Sequence, residues 1–243
     1  MTEQSTDKLF AHPLGVVPDF TFDEAVAAVF PDMIVRSVPG YSTVVAITGL
    51  LAQQFSQPGS QLYDLGCSLG ASSFSMAKHA AANCHLLAVD NSPQMLAGLK
   101  KILQQHKPNT PIELVCDDLA DISIERASVV AMNYTLQFVE LAQRDALIEK
   151  IYAGMLPEGV FVLSEKVAFS STQVDELFID LHHRFKHANG YTELEVSQKR
   201  EAIEHVLVPE SIEQHKSRLL KAGFQRVEVW FQCFNFASFI AVK

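Results

Sequence analysis

Hydrophobic positions along the chain follow two alternating periods. The short runs QLYDLG, CHLLAVD, PIELVC, ASVVAMN and GVFVLSE are too continuously apolar to face water on one side. That is the pattern of strands in a parallel sheet covered on both faces. Between them, ASSFSMAKHAA, SPQMLAGLKKILQQH and LAQRDALIEKIYAGML repeat their apolar residues at helical spacing. Ser92-Pro93 marks one helix start, an N-cap residue followed by proline at the first helical position. Strands alternating with helices predict βαβ crossovers and an α/β sheet with helices on both faces.

The flanks read differently. Thr21-Phe22-Asp23-Glu24 has the spacing of a capping box in front of AVAAVF, a helix that Pro31 is expected to end. SVPGYSTVVAITGLLAQQF then predicts a turn and a second amphipathic helix. Residues 1–20, polar and punctuated by proline, are expected to be a partly ordered arm on a single domain formed by residues 21–243. After the fifth strand, residues 168–206 are polar and helix-prone with no strand candidate, which predicts a helical insertion over the functional edge of the sheet. SIEQHKSRLLKAG reads as a last helix ended by Gly223. In FQRVEVWFQCFNFASFIAVK, two β-rich runs are separated by a break near Phe234 and Asn235 too short for a crossover, so they pair antiparallel and close the sheet.

Composition narrows the function classes. The chain has 243 residues, 48% of them apolar, enough for one sizeable core. With 28 acidic residues against 19 basic and a net charge of -9, it lacks the basic footprint of a protein that grips nucleic acid directly. No apolar run approaches the ~20 residues that span a bilayer, and MTEQSTDKLFAHPLG has no signal-peptide core, so a cytoplasmic location is expected. Cys67, Cys84, Cys116 and Cys233 are scattered without metal-ligand spacing. They read as reduced packing thiols, and no metal site is expected.

The candidate chemistry begins at YDLGCSLG, residues 63–70, in the first strand-to-helix turn, where open α/β sheets hold their ligands. Dinucleotide loops need a bare middle position because the backbone touches a pyrophosphate, and here that position is Ser68. A phosphate-free ligand such as S-adenosylmethionine fits better. Asp90 ends the second strand ~20 residues further on, the offset at which a carboxylate meets a ribose diol. Asp117 and Asp118 end the third strand, facing an adenine edge, and Asn133 ends the fourth. The residue types admit plainer readings too. Asp90 is equally placed to precede a helix cap, and Asp117-Asp118 to form a solvated turn. Cys67 stands at a helix N-terminus, where a thiol tends to acidify, or simply packs. His182 and His183, one position apart, do not share a helix face and so do not form a ligand pair. Asn133-Tyr134-Thr135-Leu136 lacks the prolines of the Asn/Asp-Pro-Pro-Tyr motif of base-amine methylating enzymes.

Residues 60–165 and the C-terminal strand pair resemble the class I S-adenosylmethionine-dependent methyltransferases. That resemblance implies a Rossmann-like, seven-stranded, mostly parallel sheet with an antiparallel C-terminal strand. A closer resemblance, to the carboxy-S-adenosyl-L-methionine synthase family, runs through FDEAVAAVFPDMI, RSVPGYS, YDLGCSLGAS, AVDNSPQM, NYTLQF, LSEK, ANGYTELEVSQKR, HKSRLLKAGF and VWFQCFNFASF. It implies that Tyr41, Gly66, Cys67, Ser68, Asp90, Asn91, Asp118, Leu119, Asn133 and Arg200 match the positions lining the cofactor site. It further implies a homodimer that makes carboxy-S-adenosyl-L-methionine from S-adenosylmethionine and prephenate. On the same resemblance, the product is expected to pass to a tRNA uridine carboxymethyltransferase that builds 5-oxyacetyl uridine at the wobble position.

On that resemblance the charges acquire a meaning. A guanidinium near the cationic sulfonium is repulsive by ~2 to 3 kcal/mol for unit charges about 6 Å apart at an effective dielectric near 20. It becomes favourable once the methyl carries a carboxylate that arginine can hold with two parallel hydrogen bonds. Arg200 is therefore the expected clamp for the product carboxylate. Tyr191 and Lys199 are the expected companions in a lid over the anionic substrate. Two other readings stay open: an ordinary methyltransferase acting on a small molecule, and a non-catalytic S-adenosylmethionine-binding protein.

Overall fold

The computed structural model describes residues 6–243. Its sheet runs β3-β2-β1-β4-β5-β8-β7, from β1 (Gln61–Leu65), β2 (His85–Asp90), β3 (Ile112–Cys116), β4 (Ala127–Asn133), β5 (Met155–Ala168), β7 (Arg226–Cys233) and β8 (Phe236–Val242). The first five are parallel neighbours, while β8 lies antiparallel between β5 and β7. The expected seven-stranded sheet with an antiparallel C-terminal strand is thus present. A two-residue strand, β6 (Glu210–Ser211), was not foreseen and pairs with the far end of β5.

Strand period places neighbouring residues on opposite faces. Tyr63, Val130, Met132 and Phe161 pack beneath α5 (Leu141–Gly154) and α8 (Ile212–Ala222), against Ile148, Ile151 and Leu219. Leu62, Val129, Ala131 and Val162 pack on the other face under α2 (Tyr41–Phe55), α3 (Ala71–His79) and α4 (Pro93–Gln105), against Ala52, Met76 and Leu99. Burial on both faces explains why these strands read as continuous apolar runs.

Two local expectations are corrected. The N-cap of α1 (Glu24–Ser37) is Asp23, whose carboxylate accepts from the Val26 amide at 2.9 Å, and not Thr21. Nor does Pro31 end α1; it lies inside the helix. Interior proline costs about 3 kcal/mol. Val26, Val29 and Met33, on the turns either side, are buried against Met95. Each such side chain contributes roughly 1.5–3 kcal/mol. The helix survives because that burial outweighs the proline.

The predicted insertion is two helices, α6 (Thr172–Ala188) and α7 (Glu193–Glu204). Residues 1–5 of the expected arm lie outside the described residues. Residues 6–20 contain no helix or strand, yet they are tied to α7. The Leu14 amide donates to Gln198 Oε1 at 2.7 Å, Gln198 Nε2 donates to the Phe10 and His12 carbonyls, and the Phe20 amide donates to the Ala202 carbonyl.

Candidate active site

A cavity of about 580 Å³ opens at the carboxyl ends of the parallel strands. In sheet order its wall takes Asp118 and Leu119 after β3, Asp90 and Asn91 at β2, Gly66 to Ser68 after β1, Asn133 at β4 and Lys166 on β5. Helix α2 contributes Tyr41, α6 contributes His182 and Lys186, and α7 contributes Lys199 and Ile203. The insertion therefore covers the functional edge.

The turn after β1 is shaped by its backbone. Gly66 has φ 79°, and a Cβ there would run into the Thr135 side chain. Ser68 also takes the left-handed region, at φ 48°. Its amide donates to Asp90 Oδ2 at 2.8 Å, while Asp90 Oδ1 accepts from the Ser92 amide at 2.9 Å. Asp90 therefore does precede the cap of α4, and it also lines the cavity. Each carboxylate oxygen retains a lone pair for a ligand hydroxyl. Asp118 similarly accepts from the Ala120 amide at 2.8 Å and lines the cavity, whereas Asp117 binds the Asp118 amide outside it.

Cys67 is not an activated thiol. Burial, reinforced by the Asp64 and Asp90 charges, pushes its pKa up. Asp64, buried beneath the loop, is itself raised to about 6 by burial and accepts from the Ser73 hydroxyl. Asn133 belongs to a polar chain in which the Ser238 hydroxyl donates to Ser164, Ser164 to Asn133 Oδ1, and Asn133 Nδ2 to Ser72 at 3.0 Å. The next residue, Tyr134, has φ 62°, and its buried hydroxyl has no hydrogen-bond partner among the described residues.

The lid candidates separate. Lys199 Nζ contacts Asp7 Oδ2 at 3.1 Å, Ser37 Oγ at 3.0 Å and Tyr191 Oη at 3.3 Å. Burial works against the Asp7 charge, but Lys199 and the Tyr191 hydroxyl hold its pKa below the usual carboxylate range. Lys199 lines the cavity with its charge already matched. Tyr191 stays outside the cavity, under the Arg36 guanidinium, whose carbon lies 3.9 Å from the ring centroid. Arg200 is also outside the cavity wall; its side chain is 51% exposed and lies 3.8 Å from Glu204. In a single protomer the structure does not bring Arg200 to the glycine turn.

The chain is 53% identical over 238 residues to the carboxy-S-adenosyl-L-methionine synthase of Citrobacter koseri, covering 98% of this chain and 96% of that protein. The match to the enzyme of the same name from Salmonella paratyphi B has equal identity and coverage. The chain belongs to the carboxy-S-adenosyl-L-methionine synthase family. A family profile described as a methyltransferase domain matches residues 62–159 of this synthase. An O-methyltransferase family protein from Burkholderia thailandensis superposes with a TM-score of 0.66 at 15% identity, over 91% of this chain and 60% of that one. Magnesium protoporphyrin IX methyltransferase from Synechocystis, solved with bound S-adenosylmethionine, superposes at 0.56 with 18% identity, over 84% and 80% of the two chains. The synthase thus has the class I methyltransferase fold.

Sequence reasoning missed two cations of the cavity wall, Lys166 and Lys186. Lys186 is 8% exposed, and its pKa is brought down to about 7 by burial and by the charges of Lys199, Lys166 and Arg200. Lys166 is lowered by burial and by Arg200. His182 is held neutral by burial and by Lys186, and its Nε2 donates to the Ser37 carbonyl at 2.8 Å. Nothing in local spacing brings Lys166 and Lys186 together, because one lies on β5 and the other on α6. Among the described residues, no group of three His, Cys, Asp or Glu side chains converges as a metal site. Nor is any single helix of the described residues long and apolar enough to cross a membrane.

Proposed function

We propose that this synthase converts S-adenosylmethionine and prephenate to carboxy-S-adenosyl-L-methionine and phenylpyruvate. The carrying observation is the opposed charge of the cavity walls, with Asp64, Asp90 and Asp118 towards β1, β2 and β3, and Lys166 and Lys186 on β5 and α6. A cationic sulfonium ligand suits the first wall and leaves the second for an anion. The residues fit such a ligand. The Gly66 to Ser68 turn gives close backbone approach without demanding a phosphate, Asp90 takes the ribose diol, and Asp118 with Leu119 borders the adenine. Tyr41, Cys67, Asn91 and Asn133 complete the cofactor contacts.

The chemistry balances without an external base. Prephenate loses its ring carboxylate as carbon dioxide and its hydroxyl as hydroxide, and becomes phenylpyruvate. The hydroxide takes one proton from the sulfonium methyl and leaves as water; the carbon left behind captures the carbon dioxide. Aromatisation drives the sequence. The protein holds the partners together and excludes the water that would reprotonate the carbon. Phe22, Phe138, Tyr134 and Phe236 add aromatic surface to the cavity lining. By the family resemblance, the protein works as a cytoplasmic homodimer and its product serves tRNA wobble uridine carboxymethylation. Arg200 grips the product carboxylate, either by turning inward from α7 or by entering the cavity of a second copy.

Mass spectrometry of ligand released from the purified protein tests the reading. It is expected to find a cofactor heavier than S-adenosylmethionine by one carbon dioxide, and phenylpyruvate is expected to form on adding prephenate. Unmodified cofactor alone, with no phenylpyruvate, would favour an ordinary methyltransferase or a silent binder. Arg200→Ala is expected to weaken carboxy-S-adenosyl-L-methionine at least about tenfold more than S-adenosylmethionine, the scale of one lost charged hydrogen bond. Equal loss for both ligands, measured by titration calorimetry, would remove the clamp.

A further inference from the structure

Among the described residues, Lys166 and Lys186 are the cations of this cavity left without a counter-ion. Among the described residues, no carboxylate lies within ion-pair distance of either ammonium. Asp175 and Glu204 act on Lys166 only from further away, and the charged neighbours felt by Lys186 are all cations. Lys199, by contrast, is neutralised by Asp7. Lys186 is buried and Lys166 half-buried, and Lys166 is near enough to lower the Lys186 pKa. Two unpaired ammonium groups so placed repel each other and are poorly solvated, so folding alone does not account for them. An arriving anion relieves both costs.

Their positions are built. The Lys166 amide donates to Gln137 Oε1 at 2.9 Å, next to the Glu165 carboxylate that accepts from the Thr135, Leu136 and Gln137 amides. This network fixes the end of β5 against the cavity wall. On α6, the His182 ring that flanks Lys186 is anchored to Ser37 and packs edge-on to Phe236 at 4.9 Å between centroids. Lys166 lies on β5, beyond Asn133 in sheet order and away from the carboxylates at β1, β2 and β3, and Lys186 on α6 is close enough to feel its charge. A sulfonium ligand does not sit against them unless an anion intervenes.

We propose that Lys166 and Lys186 form the subsite for the carboxylate of the second substrate that keeps its charge through the reaction. This rests on the synthase reading. Of the two carboxylates of prephenate, the ring carboxylate leaves as carbon dioxide, and an ammonium held on it would stabilise the ground state against losing that charge. The side-chain carboxylate survives in phenylpyruvate, so gripping it binds substrate and transition state alike and orients the ring toward the sulfonium methyl.

The test uses the full-length protein with Lys166→Met, Lys186→Met and the conservative Lys186→Arg. Each methionine variant is expected to raise KM for prephenate about tenfold or more, as loss of a charged hydrogen bond does. The Ki of phenylpyruvate as competitor is expected to rise in parallel, while affinity for S-adenosylmethionine stays within about twofold and Lys186→Arg recovers most of the loss. If the Ki of phenylpyruvate is unmoved, or affinity for carboxy-S-adenosyl-L-methionine falls instead, the lysines hold a different carboxylate and the proposal is overturned. Direct titration of prephenate into wild-type protein separates the two levels. Lysine-dependent binding without carboxylation sinks the synthase reading and keeps the subsite; carboxylation indifferent to both lysines does the reverse; no prephenate binding at all overturns the subsite.

Discussion

Asp90→Ala is expected to lower affinity for S-adenosylmethionine by at least about 100-fold, the sum of two charged hydrogen bonds to the ribose hydroxyls. The carboxylate is well placed for this because its position does not depend on the ligand: the Ser68 and Ser92 amides hold one oxygen each, at 2.8 and 2.9 Å. Burial raises its pKa, opposed by those same amides. Alanine removes the acceptors and also frees the strained Ser68 turn, so the melting temperature has to be followed beside the binding isotherm. Asp90→Asn, which retains one acceptor oxygen, is expected to fall between the two. Unchanged cofactor affinity in a folded Asp90→Ala protein would mean that the ribose lies elsewhere.

Arg144→Met is expected to destabilise the fold by about 3 to 5 kcal/mol, the usual cost of breaking a buried ion pair from one side. Arg144 is fully buried. It donates to Glu210 Oε2 at 2.6 Å and to the carbonyls of Val139, Gln137 and Val208. Those partners join the 3₁₀ turn Leu136–Phe138, which borders the cavity, to the segment leaving the insertion. Methionine fills much of the volume but leaves three carbonyls and a carboxylate facing it. Glu210 keeps its contacts with Arg218, at 2.9 and 2.6 Å, so the effect is partial and does not abolish folding outright. Acid offers a second route to the same site. Burial alone would raise Glu210, but Arg218 and Arg144 hold it below its ordinary value of 4.5. The contribution is therefore complete above about pH 4.5 and is lost as pH falls through the lowered value. Urea unfolding of wild type and variant between pH 7 and pH 3 checks both signs: wild type should lose more stability on acidification than Arg144→Met. Parallel curves would mean that Arg144 does not act through Glu210.

Much of this was legible in the chain. The runs around Leu62 to Leu65 and Val129 to Met132 read as doubly covered strands because each buries side chains on both faces. Ser92-Pro93 read as a helix start, and Ser92 does cap α4, accepting from the Met95 amide at 3.2 Å. Capping and period-two alternation involve neighbours within a few residues, so local spacing carries them. Pro31 misled because its local penalty was visible and the burial that offsets it was not. Asp7 misled likewise: a polar residue in a proline-punctuated arm is 2% exposed, because Lys199 and Tyr191, nearly 200 positions away, supply its partners.

Backbone periodicity and residue type alone were enough to establish an α/β sheet, the glycine turn with Asp90 at its side, the helical insertion and the antiparallel closure. All of these are encoded over short stretches of chain. The charge pattern of the cavity is another kind of property. Whether a lysine is a solvated surface group, like most, or an unmatched cation in an apolar wall depends on desolvation and on which charges folding brings within a few ångströms. Lys166, Lys186, Lys199 and Arg200 are indistinguishable by spacing. Folding pairs Lys199 with Asp7, turns Arg200 outward beside Glu204, and leaves Lys166 and Lys186 facing the ligand space.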